Sequence, residues 1–314
     1  FNFGTLDRKW TGKAFYHPSF SPTITTQNFT HASWLAYSTP SVFIMWNHEF
    51  VGQNYTADFG FVPRIERYDP DIQAVRRQSY WRLEPMIAYT FYPKKKSWFI
   101  SQRIETYLDR YTDGNYQLTD NQFRNTYKLK LNNTSSFRFD VNDRFTKLYF
   151  NTDLTFTNDT NAYTPRGNYS YRNVQLSYES NVRKPLSWET SYMIGDYYNG
   201  KRTSINATLN YRWQPIGKFS IYVNQNTFDM PSLTEDKALL LVGSNIELAF
   251  TKSIFFSTFF QYNTQITNFN INSRLQWRFK PMSDLYIVYS DNYLTTDFTA
   301  KNRGLVIKLQ YWIQ

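Results

Sequence analysis

The sequence predicts an all-β fold: a transmembrane, antiparallel, up-and-down β-barrel of about sixteen strands, built as a single domain over residues 1–314. Three observations predict it. Polar and apolar residues alternate with a period of two along most of the chain, which sends them to opposite faces of strands. The alternating segments run about 10–16 residues, where soluble strands average about 5–6 and a membrane-crossing strand needs about 9–11. Finally, nine tryptophans, 26 tyrosines and 27 phenylalanines sit in a chain whose mean hydropathy is only −0.60. A disordered chain would be poor in aromatics. A helical membrane protein would show runs of 18 or more apolar residues, and none occurs.

Taken in chain order, the expected strands cover residues 10–20, 28–38, 41–50, 76–92, 97–109, 115–131, 135–148, 169–181, 185–196, 202–214, 217–229, 238–250, 253–265, 268–280, 284–291 and 303–313. The first three carry the weakest alternation. In the fifth, Trp98, Ile100, Ile104 and Leu108 oppose Ser101, Arg103 and Glu105. In the sixth, Phe123, Tyr127, Leu129 and Leu131 oppose Arg124, Lys128 and Lys130. The tenth sets Ile205, Ala207, Leu209, Tyr211 and Trp213 against Ser204, Asn206, Thr208, Asn210 and Arg212. The twelfth sets Leu240, Val242, Ile246, Leu248 and Phe250 against Asn245 and Glu247. In the fourteenth, Phe269, Ile271, Leu275, Trp277 and Phe279 share one face, and six polar residues from Asn270 to Lys280 share the other. The last opposes Leu305, Ile307, Leu309, Tyr311 and Ile313 to Lys308, Gln310 and Gln314. A soluble β-sandwich also alternates, but its turn signals recur every 8–12 residues; the hairpin pitch here is nearer about twenty.

An even strand count places both termini on the periplasmic side, with short turns there and longer loops outside. The links agree. Those near residues 39–40, 93–96, 132–134, 183–184, 215–216, 251–252 and 281–283 are short. The alternate links at 51–75, 151–168, 230–237 and 292–302 are longer, and Asp113-Gly114 and Asn199-Gly200 mark tight turns on the same side. One hairpin more or fewer keeps this parity, giving fourteen or eighteen strands. Trp98, Trp188, Trp213, Phe219, Phe250 and Trp277 fall on the apolar parity beside the short turns, where an aromatic girdle belongs.

The polar parity, expected to line the lumen, carries Arg82, Arg103, Arg124, Lys128, Lys130, Arg138, Arg144, Arg212, Arg274 and Arg278 against Glu84, Glu105, Glu179, Glu189 and Glu247. An open, water-filled lumen with that bias favours anions. A lumen whose charges cross-pair, crowded by Tyr107, Tyr222, Phe255 and Phe259, is instead an occluded scaffold. Both readings stand at this level. Tyr55, Phe59, Phe61, Tyr68 and Tyr163 lie in outer loops, where aromatic rings can stack on sugars or partner proteins.

Little else carries chemistry. No phosphate loop, HExxH, GxSxG or CxxC motif occurs, and no cofactor is expected. Without cysteine there is no disulfide framework, and His17, His31 and His48 alone supply a metal site poorly. His48 beside Glu49, and His31 near Ser33, are the only catalytic seeds; the expectation is a protein that is not an enzyme. Sequons such as Asn28-Phe29-Thr30 reflect Asn/Thr-rich strands. The net charge of +10 is scattered through the alternating segments rather than gathered in a basic arm, so no nucleic-acid partner is expected.

Three stretches carry a resemblance: QYNTQITNFNINSRLQWRFKPMSDLYIVYSDN (261–292), ADFGFVPR (57–64) and YYNGKRTSINATLNYRWQP (197–215). They resemble an outer-membrane family common in Bacteroidota, in which an uncharacterised C-terminal β-barrel follows a module similar to family-nine carbohydrate-binding modules. The resemblance spans about residue 54 onward. It implies a barrel that anchors a binding domain or serves as an accessory subunit of an outer-membrane assembly, and it lends no catalytic residues. The N-terminal module is not contained in this sequence. The expected setting is the bacterial outer membrane, with lipid and lipopolysaccharide around the barrel and other outer-membrane proteins or lipoproteins as partners. The alternative expectation is a porin-like channel passing anions or sugars.

Overall fold

The computed structural model describes residues 1–23, 25–57, 60, 62–70, 72–156 and 162–313. Twenty strands follow one another: β1 (Asn2–Gly4), β2 (Trp10–Pro18), β3 (Phe29–Ser38), β4 (Val42–Val51), β5 (Glu66–Asp69), β6 (Ala74–Arg77), β7 (Tyr80–Leu83), β8 (Met86–Phe91), β9 (Phe99–Asp113), β10 (Leu118–Leu131), β11 (Ser136–Leu148), β12 (Gly167–Glu179), β13 (Leu186–Tyr197), β14 (Gly200–Trp213), β15 (Gly217–Asp229), β16 (Lys237–Ala249), β17 (Ile254–Asn263), β18 (Asn268–Lys280), β19 (Ser283–Leu294) and β20 (Ala300–Gln310). Eighteen belong to one large antiparallel sheet, and β5 with β6 forms a separate hairpin.

Ladders join sequence neighbours in series from β1 to β20, with β4 pairing first β7 and then β8. All sixteen expected strands are present, in order. Three local differences have physical causes. The segment expected as one strand over 76–92 begins at Tyr80 and breaks at Glu84-Pro85, because Pro85 has no N–H to give a ladder. Residues 74–77 pair instead with 66–69, giving the long loop a hairpin of its own. The last loop is shorter than expected, 295–299, because β19 runs on to Leu294.

The two ends of the sheet differ. At one end the links are residues 39–41, 92–98, 132–135, 180–185, 214–216, 250–253 and 281–282. At the other they include 19–28, 52–79, 149–166 and 230–236. The tight link 114–117 is held by the Asp113 carboxylate, which accepts the N–H groups of Asn115 and Gln117 at 2.9 Å each.

Register sorts the side chains across the whole sheet. One row passes from Ile104 through Tyr127, Phe139, Leu176 and Tyr192 to Ile205, all apolar and all exposed. The adjacent row passes from Glu105 through Thr126, Asp140, Gln175 and Met193 to Ser204, and its Thr126, Asp140 and Ser204 are buried. The usual distribution is inverted: among the described residues, 20 buried residues are polar or charged and 11 are apolar.

Two clusters of buried apolar residues lie at the long-loop end, on the polar face. Val51, Ile65 and Tyr80 form one cluster with Tyr55, Val62 and Tyr111 packed on it. Phe228, Met230 and Leu239 form another with Leu154, Tyr197 and Leu233. Tyr55, Val62 and Ile65 from one loop, Leu154 from a second, and Met230 and Leu233 from a third therefore pack onto the polar face rather than standing away from it.

Candidate functional site: the charged face and its capped end

All fifteen expected lumen charges fall on the polar face, because cross-strand register carries the parity from β7 to β18. On β7–β11 four of the polar-face arginines have carboxylate partners, and Arg144 has none among the described ion pairs. Arg82 makes a forked contact with Asp109, Nε to Oδ1 at 2.7 Å and Nη2 to Oδ2 at 3.1 Å, and reaches Glu84 at 3.0 Å. Glu84 also accepts from Tyr107 at 2.6 Å and from Asn47 at 2.8 Å. Arg103 and Arg124 share Glu105, at 3.2 and 3.7 Å. Arg138 forks onto Asp140 at 2.7 and 2.9 Å. Asp109 and Asp140 were absent from the expected set, although they carry the same parity as Arg103 and Arg138; they reduce the basic excess of this part of the wall without removing it, since Lys128, Lys130 and Arg144 stand on the same face.

The bulky residues do not all project inward. Tyr222 lies flat across Gly243, its strand-to-strand partner, so close that a Cβ on Gly243 would overlap the ring. Tyr107 is held to the wall by its bond to Glu84 and by the Arg124 guanidinium 4.9 Å from its ring centre.

At the long-loop end, specific contacts tie described loop residues to one another and to the sheet. Arg64 pairs with Asp120 at 2.6 Å and lies 3.9 Å from the Tyr111 ring centre. Arg67 stacks 3.3 Å from the Tyr149 ring centre and donates to Gln78 at 2.6 Å. Arg77 donates to the backbone oxygens of Gln53 and Tyr55 at 3.0 and 2.6 Å, and to Glu66. On the other side, Ser232 donates to the Ala162 carbonyl at 2.9 Å. Tyr198, in the β13–β14 turn, has its ring 5.1 Å from Tyr171; burial and the neighbouring phenols push its own phenol above its ordinary range. Of the expected outer-loop aromatics, Tyr55 is packed into the cap, Tyr68 is exposed and Tyr163 is half-buried. Phe59 and Phe61 lie outside the described residues.

The six expected girdle residues stand at the short-turn end; Trp98, Trp188, Trp213, Phe250 and Trp277 are exposed and Phe219 is half-buried. A second aromatic group stands at the long-loop end of the apolar face: Phe29, His31, His48, Phe50, Trp81 and Tyr116, with Phe50 and Trp81 4.5 Å apart and Trp81 and Tyr116 5.8 Å apart. Two of its members are the expected catalytic seeds, and they pair differently from what their sequence neighbours suggest. The Ser33 hydroxyl lies 2.8 Å from His48 Nδ1, whereas His31 packs among rings. Glu49 turns to the opposite face, where it accepts from Tyr80 at 3.3 Å. Strand alternation separates neighbours in sequence, so Glu49 cannot orient the His48 ring. Among the described residues, no group of three or more His, Cys, Asp or Glu could hold a metal ion.

Compared with known proteins, the chain matches no family model and no curated sequence.

Proposed function

We propose that this chain is an integral outer-membrane β-barrel, acting as an anchor or accessory subunit of an outer-membrane assembly. The carrying observation is the inverted burial. A sheet that exposes Ile104, Leu176, Ile205, Leu209 and Ile307 while burying serines, threonines and aspartates is matched to a solvent that is apolar outside. Aromatic groups at both ends of that surface suit the two membrane interfaces.

Membrane insertion on this reading requires closure. The ladder of β20 is with β19, and all eleven of its residues are exposed. In hydrocarbon each unpaired backbone group costs several kcal/mol, so β20 closes against the β1–β2 edge. With β7 and β8 taken as one interrupted strand, sixteen strands run from β2 to β20 in the large sheet, which makes β2 and β20 antiparallel, as such closure requires. The test is migration in SDS gels: unheated protein refolded into detergent should run faster than boiled protein, and identical migration counts against a closed barrel.

The capped long-loop end and the paired arginines of β7–β11 support an anchor over an open pore. Partners on this reading are outer-membrane lipid and lipopolysaccharide, together with other outer-membrane proteins or lipoproteins. Planar bilayers should show little steady conductance. One observation favours the second reading, an anion-preferring porin: Arg212 and Arg274 have no described carboxylate within ion-pair distance. That reading expects large stable channels whose selectivity moves toward cations when Arg274 and Arg278 are changed to Glu.

A further inference from the structure

The polar face is not uniform. On β7–β11, Arg82, Arg103, Arg124 and Arg138 each have a carboxylate within salt-bridge distance, while Lys128, Lys130 and Arg144 have none among the described ion pairs. On β14–β18 the same inner register runs Arg212, Lys218, Glu247, Ser257, Arg274 across five successive strands. Arg212 stands directly opposite Lys218, an arrangement that like-charge repulsion disfavours. No described carboxylate lies within ion-pair distance of Arg212, Lys218 or Arg274; Arg278 is the one cation here that has such a partner, Asp284 at 3.2 Å. Glu247, the carboxylate in the row, accepts from Asn245 at 3.3 Å.

These side chains line a cavity of about 710 Å³ at the short-turn end, walled on one side by Phe255 and Ile216. The Arg212 guanidinium is oriented by the carbonyls of Val182 and Lys184, at 2.5 and 3.0 Å, so part of its ordering is complete before anything binds. The backbones of β14 and β18 are four strand spacings apart, about 19 Å at ~4.8 Å each. Two cationic groups, Arg212 with Lys218 and Arg274 with Arg278, thus face one concavity from opposite sides, with an apolar wall beside them.

The geometry points to a binding site for a water-borne organic anion with two separated anionic groups, of the phosphate class, in this cavity. An anion between Arg212 and Lys218 relieves their repulsion, and guanidinium groups match phosphate oxygens in pairs. The cavity opens on the polar face, away from the apolar surface, so the ligand is a solute rather than a lipid tail's headgroup. The site depends on the local sheet β14–β18 and on the β12–β13 link that orients Arg212, and it does not need the barrel to be closed.

Isothermal titration of the full chain, folded in a zwitterionic detergent, tests it with fructose 1,6-bisphosphate, inorganic phosphate and fructose. Saturable one-to-one binding of the bisphosphate is expected, weaker binding of phosphate, none of fructose, and loss of affinity as salt rises. Lys218→Gln and Arg274→Gln should each weaken binding at least tenfold, and Lys94→Gln in the β8–β9 link should leave it unchanged. Circular dichroism matching the parent protein establishes that each variant is folded, and heat-dependent migration reads the barrel separately. Absence of saturable binding, equal binding of fructose, equal loss in Lys94→Gln, or parental affinity in both site variants would overturn the proposal.

Discussion

Replacing Leu209 with Arg probes the apolar face near its middle. Leu209 lies on β14 between Trp188 and Ile221 in register and is 44% exposed. It stands four residues from Trp213, about 13 Å along the strand at ~3.3 Å per residue. With strands tilted about 40°, that is about 10 Å along the normal of an apolar band about 25 Å tall. An Arg near the midplane costs about 2–4 kcal/mol, roughly a 30- to 700-fold change in the folding equilibrium. The adjacent Thr208 is the control. It faces the opposite side, between Glu189 and Tyr222 in register, so Thr208→Arg meets a carboxylate and changes stability by about 1 kcal/mol or less. Urea titrations from phospholipid vesicles, followed by tryptophan fluorescence, compare the two. Equal losses for both variants, or a negligible loss for Leu209→Arg, would refute the assignment of faces.

Three further outcomes are expected. Replacing residues 53–78 by a short Gly/Ser turn removes the hairpin cap and should raise single-channel conductance in planar bilayers above that of the parent. Arg64→Ala should accelerate amide exchange across β5–β6, while global stability falls by only about 0–1 kcal/mol, because the Arg64–Asp120 pair is partly solvated at 45% and 29% exposure. Gly243→Val should displace Tyr222 and cost about 1–3 kcal/mol in denaturant titrations, since the new side chain starts inside the ring's van der Waals radius.

The long strands were legible because a period of two, sustained over ten or more residues, matches the pleat of a strand and fits no helical repeat. β1 was not, since three residues show no period. The β5–β6 hairpin was hidden by its charges: Glu66, Arg67, Arg76 and Arg77 stand on both faces of four-residue strands, so no alternation marks them. Face assignment was equally legible: the fifteen charges expected in a lumen share one face of the sheet. Pairing was not. Whether Arg138 meets Asp140, or His48 meets Ser33 rather than Glu49, depends on cross-strand register, which turn geometry sets and composition does not reveal. The caps were out of reach for a similar reason. Val51, Ile65 and Tyr80 come together only when Ile65, with Tyr55 and Val62, folds back onto the polar face, a packing choice that local sequence does not encode.

Spin labels placed one at a time at residues 203–213 of β14, in protein reconstituted into lipid vesicles, test the central claim most directly. If the apolar face meets lipid, labels at 205, 207, 209 and 211 will be accessible to oxygen, and those at 204, 206, 208 and 210 to a water-soluble nickel chelate, alternating residue by residue. Uniform accessibility to the chelate along the strand would contradict membrane insertion.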